Sequence, residues 1–243
     1  MSVFAAHVRY RTLDYARTPF AVGPTLAFPS MVTAFFLLPN LPSDEAPRGP
    51  AIVLLVTFTM VTIFIFGAGI AQERHLPWEA FLRTLPLRAS TALGANLLVG
   101  LAFGMLGALP AIGLLVWRLD VTIPLMRWLT LVAAVLLGTA AMGGIGLTIG
   151  YALPAKAAIA TANLVFLPMA FVGGLLLPPE ILPDWAATIG WATPMRPWVE
   201  LSFATAEGGP VEGWLWLLLV AWAAALCAVA GWAYRRDQVR RYR

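Results

Sequence analysis

Six windows of this chain, residues 18–43, 49–72, 89–117, 128–155, 157–179 and 213–234, carry no Asp, Glu, Lys or Arg over 22 residues or more. An α-helix rises about 1.5 Å per residue, so each window can cross a hydrocarbon core roughly 30 Å thick. Lipid offers no partner for free backbone N–H and C=O groups, so such windows are helices. The pattern predicts an all-α polytopic membrane protein with six transmembrane helices, at 19–38, 51–71, 90–117, 128–151, 159–177 and 213–234. Only 12% of the residues are charged, against about 25% in soluble domains. A soluble fold would lack the polar surface to cover six buried helices. No stretch is long and polar enough for a second domain, so 1–243 reads as one membrane domain.

Charge sets the orientation. With a cytoplasmic N-terminus, the inner segments hold 12 of the 16 Lys and Arg residues, and the outer ones hold only Arg48, Arg118, Arg127 and Arg196. Short loops rich in Lys and Arg stay inside, so both termini are expected to be cytoplasmic in a multi-pass protein of the cell (plasma) membrane. The high pI of about 9.7 has a competing reading as a nucleic-acid surface. However, the Arg cluster at 235–243 directly follows a span and fits a juxtamembrane anchor on anionic lipid, so the bilayer and not nucleic acid is the expected partner. The single cysteine, Cys227, cannot form an internal disulfide. The first apolar window is too long for a signal-peptide core, and no cleavage is expected.

Local patterns refine the picture. In residues 1–17, Val3, Ala6, Tyr10 and Leu13 recur at helical steps and predict a short interfacial helix, with a plain tail as the alternative. Pro24 and Pro29 predict a kink or break in the first span. Gly100 and Gly104 form a small-xxx-small pair, suited to close helix approach or simply tolerated. Gly138, Gly143, Gly144, Gly146 and Gly150 predict tight packing or flexibility. The stretch after the fifth span is punctuated by prolines and holds Trp185, Trp191 and Trp198. It predicts one or two short re-entrant helices dipping into the outer leaflet.

Several chemistries lack their residues. The only lysine, Lys156, has no upstream glycine pattern, so the chain cannot build its own Walker A site. His7 and His75, the only histidines, lie outside the spans, which argues against haem or zinc held within them. There is no G-x-S-x-G motif, and no carboxylate stands inside a predicted span, so hydrolase and proton-relay chemistry lose their usual groups. No cofactor is expected on this chain.

The longest inner loop, 72–88, is the most informative. Pro77 can open a helix and Pro86 ends it. Between them Trp78, Phe81, Leu82 and Leu85 form one apolar face, and Glu79 precedes Arg83 by four residues, the favourable order for an exposed pair. A helix this short needs a membrane surface or a partner protein to hold it.

The loop Glu73-Arg74…Trp78-Glu79-Ala-Phe-Leu-Arg83-Thr-Leu-Pro86-Leu-Arg88 resembles the loop after the second span of ABC-2-type permeases, the membrane subunits of ATP-binding-cassette exporters, in a drug-resistance-permease-like form. The region 160–194, with Asn163, the Phe171-Val-Gly-Gly174 turn, Leu182-Pro183-Asp184-Trp185 and Pro194, is similar to that family's fifth span, outer helix and following proline. Leu76-Pro77 departs from the Gly-Thr often found there.

The resemblance implies a permease docked on two copies of a separate ATPase subunit, which would bind the ATP and Mg, and paired with a second copy or a similar permease. Glu73, Trp78, Glu79, Phe81, Leu82, Arg83 and Leu85 would couple it to the ATPase through a cytoplasmic coupling helix between spans 2 and 3. Spans 1, 2 and 5 would face the substrate path, making Phe28, Thr57, Phe64, Asn163 and Phe166 lining candidates, with ordinary span packing as the alternative for each. An uncharged, aromatic lining suits efflux of an apolar or amphipathic substrate such as a drug, antibiotic or lipid. A polysaccharide or haem precursor, an ATPase-independent channel or carrier, and a non-transporting scaffold are the competing readings.

Overall fold

The structure, a computed structural model, describes residues 3–17, 19–74, 89–177 and 179–240. Among these the regular structure is helical throughout. Helix α1 (Val3–Ala16) precedes α2 (Pro19–Val32), which passes through a π turn (Thr33–Leu37) into α3 (Leu38–Asn40). A 3-10 turn (Ser43–Arg48) leads into α4 (Gly49–Met60), a π-helical segment (Val61–Gly69) and α5 (Ile70–Glu73), which together form the second rod. Then come α6 (Ala89–Leu119), α7 (Leu125–Ala152) and α8 (Ala155–Val172). The short α9 (Asp184–Gly190) and α10 (Met195–Glu207) separate α8 from the last helix, α11 (Gly213–Arg240).

Five stretches are long and apolar enough to cross a membrane: Glu45–Glu73, Ser90–Leu119, Leu125–Ala152, Ala155–Val172 and Gly213–Gln238. They answer five of the six charge-free windows. The first window yields a shorter apolar helix, Thr25–Asn40, which extends about 24 Å at helical rise.

The structure corrects three local expectations. Pro24 and Pro29 lie inside α2 without ending it, and the irregularity comes later, as the π turn. The expected span 159–177 is shifted: α8 starts at Ala155, directly after Pro154, and stops at Val172. It stops there because Gly174 takes a φ of 86°, a left-handed conformation open to glycine, and the Leu175 and Leu176 amides turn back to the Ala170 carbonyl. At the other end of the chain, α11 continues past 234 to Arg240.

Helix α7 is the centre of the bundle, packed against α11, the π segment and α10. Its glycines are there for close approach. A β-carbon on Gly138 would strike the Trp198 indole, one on Gly144 the Leu226 backbone, and one on Gly146 the Thr62 carbonyl. The tight-packing reading of this span therefore holds. On α6, Gly100 and Gly104 receive the Phe66 and Phe58 rings of the second rod. The pair serves to seat aromatic rings. Both rings, like Trp198, are fully buried.

Candidate functional site

Helix α1, the end of the second rod and the far end of α11 meet at one end of the bundle, the base. Helix α7 reaches the base at Ala152 from the opposite end, the crown. Arg74, the last described residue before 75–88, has a side chain only 7% exposed. Its guanidinium donates to the Tyr151 carbonyl, to the Leu153 carbonyl at 2.6 Å and to Asp237 Oδ1 at 2.8 Å. Asp237 is as deeply buried. One arginine thus ties together the ends of the second rod, α7 and α11. Asn96 Nδ2 of α6 donates to the Tyr151 hydroxyl at 3.3 Å, and the Tyr151 ring meets Tyr234 edge-on at 5.1 Å.

The neighbouring Glu73 accepts from Arg11 of α1. Helix α1 docks through this polar side. His7 and Arg11 are its buried residues, and the Tyr15 hydroxyl shares a hydrogen bond with Thr25 Oγ1 at 3.0 Å. Of the predicted stripe, Val3, Ala6 and Leu13 are exposed and Tyr10 is half-buried, so most of it has the orientation an interfacial helix needs to face lipid. Burial, and then the Arg11 charge, hold the His7 pKa below its ordinary value, so docked His7 is neutral near pH 7. Burial pushes the Tyr15 phenol up.

Of the predicted coupling residues, only Glu73 is placed. Trp78, Glu79, Phe81, Leu82, Arg83 and Leu85 lie outside the described residues. The predicted path residues divide by environment. Phe28 and Phe64 are 45% and 46% exposed, and Phe64 is the one phenylalanine of the second rod turned outward, since Phe58 and Phe66 are fully buried. Thr57 is buried, its hydroxyl donating to the Val53 carbonyl at 2.6 Å. Asn163 is half-buried.

Phe166 is buried and lines a narrow crevice with Thr62, Ile63, Ile145, Gly146 and Ala162. The void holds about 10 Å³, at most one water. It lies beside the π segment. Runs of π-helix are rare and cluster at functional sites.

At the crown the chain folds back on itself. Arg48 pairs with Glu207, with Glu180 at 3.1 Å and with Glu45 at 4.0 Å. Its guanidinium also lies 5.5 Å from the Phe203 ring centre. The chain then descends through α9 until Gly190 abuts the Val172 carbonyl. It climbs again through α10 to Glu207, whose carbonyl takes Arg127 Nη1 at 3.4 Å. Two short helices form here, as the sequence predicts. Helix α10 is walled by protein: Met195, Trp198, Val199 and Leu201 are fully buried. Trp198 stands on Gly138, halfway along α7. The exposed tryptophans of this stretch are Trp185 on α9, at 59%, and Trp191, at 37%.

The sequence reading missed Arg11, Arg74, Tyr151 and Asp237 as a joint, using the charges for topology and Arg74 for the loop resemblance as well. The available signal was a lone acid, Asp237, set among Arg235, Arg236 and Arg240. Among the described residues no three His, Cys, Asp or Glu side chains come together to hold a metal ion.

Residues 3–206 match the family described as "ABC-2 type transporter". A Bacillus subtilis (strain 168) protein named "Putative transport permease YvfS" is similar, 22% identical over 201 residues, covering 82% of this chain and 82% of that protein.

Proposed function

This chain belongs to the ABC-2 type transporter family, and from that we propose that it is the permease subunit of an exporter driven by a separate ATPase. In this reading the Thr25–Asn40 helix completes a six-span bundle in the plasma membrane. The base is cytoplasmic, the crown faces outward, and two permeases stand on two ATPase subunits. The residues at 78–85 form the coupling helix, and the cargo is an apolar or amphipathic molecule passing between the permeases beside Phe28 and Phe64.

The observation that supports this most is the double tether at the mouth of the 75–88 loop. Glu73 is paired with Arg11 of α1, and Arg74 is locked to α7 and α11. Breaking a buried ion pair by losing one partner costs about 3–5 kcal/mol. Thus a push on the loop moves α1, α7 and α11 with the second rod instead of bending one joint. That is what an element driven by an outside motor needs to switch a packed bundle between discrete arrangements.

Affinity purification of the tagged chain at native expression should recover an ATPase subunit. Replacing Phe81 and Leu82 with Asp should abolish ATP-dependent export in vesicles while insertion persists. Unchanged export by that variant, or transport by the purified chain alone, would overturn the proposal in favour of a self-sufficient carrier.

A further inference from the structure

The floor of the crown hairpin carries a charge where little water reaches. Arg196, at the start of α10, has a side chain 9% exposed. Helical rise places it roughly 16 Å below Glu207, near the depth at which Trp198 meets the middle of α7. An arginine at such depth in a membrane protein is costly and faces an interior partner or a wet cavity.

Its acid partner among the described residues is Glu200, one turn on, which accepts from Nη2 at 2.6 Å. Nε and Nη1 are buried and have no acceptor among the described residues. A buried donor without an acceptor loses its hydration and gains nothing in return. The two halves of the pair also differ in exposure. Glu200 is 32% exposed, so its carboxylate can turn outward without being stranded, leaving the guanidinium fork to another anion.

The surroundings fit a head group attached to an apolar tail. The Trp191 ring lies 5.3 Å from the Arg196 guanidinium carbon and 5.2 Å from the Trp214 ring. Trp191 and Trp214 are both part-exposed, at 37% and 46%, and make an apolar wall beside the guanidinium.

We propose that Arg196, flanked by Trp191 and gated by Glu200, binds the anionic head, a phosphate or carboxylate, of an amphipathic molecule. This deepens the exporter reading and rests on it for the role of the site, a station where cargo or lipid waits on the crown side. The binding itself is measured on the isolated chain without ATP. Failure to recover an ATPase subunit would therefore sink the exporter reading without touching this measurement.

The probe is dodecyl phosphate below its micelle concentration, added to the purified full chain in phosphatidylcholine nanodiscs. Inorganic phosphate and dodecyltrimethylammonium serve as parallel arms. Saturable binding of dodecyl phosphate is expected, weakened about tenfold or more in Arg196→Gln, since the lost contacts are charge-assisted. Glu200→Gln should tighten binding, because it removes the competing carboxylate and leaves Arg196 in place. That change of sign separates a binding site from a structural ion pair, and it remains readable if Arg196→Gln fails to fold. Unchanged binding in Arg196→Gln, or weaker or unchanged binding in Glu200→Gln, would overturn the proposal. Equal binding of the cationic amphiphile would reduce it to tail partitioning. Equal binding of inorganic phosphate would make it a free-anion site.

Discussion

Arg74 at the base and Arg48 at the crown both gather chain segments far apart in sequence, yet they work differently. Arg74 and Asp237 are each 7% exposed, and two main-chain carbonyls also accept from the arginine. Arg48 is 18% exposed, and its acids Glu207, Glu45 and Glu180 are 37–58% exposed. Ion pairs in water are worth little because solvent competes for both charges. Buried pairs are expensive to assemble and more expensive to break. The base is therefore a fixed joint and the crown a soft latch, its rigidity coming from Trp198 and the α10 core. On the exporter reading proposed above, in which the bundle is moved from its base, this division would keep that end stiff and let the crown open.

The comparison can be broken or sharpened by experiment. The largest effect is expected from Asp237→Ala, which takes the buried carboxylate from Arg74 and should destabilise the protein by about 4 kcal/mol, read as a lowered midpoint in dodecyl-sulfate unfolding. Trp198→Ala should cost about 3 kcal/mol by leaving a cavity over Gly138, showing that packing and not charge holds the crown. Arg48→Gln should cost less than about 1 kcal/mol in the same titration. A loss as large as that of Asp237→Ala would erase the distinction between the two ends.

The smallest effect concerns pH. Because the His7 pKa is lowered from 6.5 on docking, the undocked helix takes up the proton first. Docking of α1 is then at full strength above about pH 6.5 and weakens as pH falls below it. Protease protection of residues 1–17 should fall with pH in the parent and stay flat in His7→Asn.

Much of this was legible in the chain itself. The charge-free windows locate the long helices because burying charge in lipid is costly wherever it happens, a local and additive penalty. The glycines of α7 signalled close packing, but not that each receives a different neighbour. Trp198 read as a boundary tryptophan and proved to be the largest fully buried side chain, because tryptophan suits both places. The end of α8 was misjudged since the apolar run continues through Leu175, Leu176 and Leu177, while the backbone turns at Gly174 for conformational reasons that hydropathy does not register.

By itself, then, the sequence determined that the chain must hide long apolar helices and roughly where they run, because that follows from neighbours along the chain. Tertiary structure alone decided that Arg74 meets a carboxylate 163 residues away, that α1 docks by its polar side, and that Arg196 is buried against Trp191. Those facts depend on which helices stand side by side. That is settled by the fit of side chains across the bundle, and no local pattern encodes it.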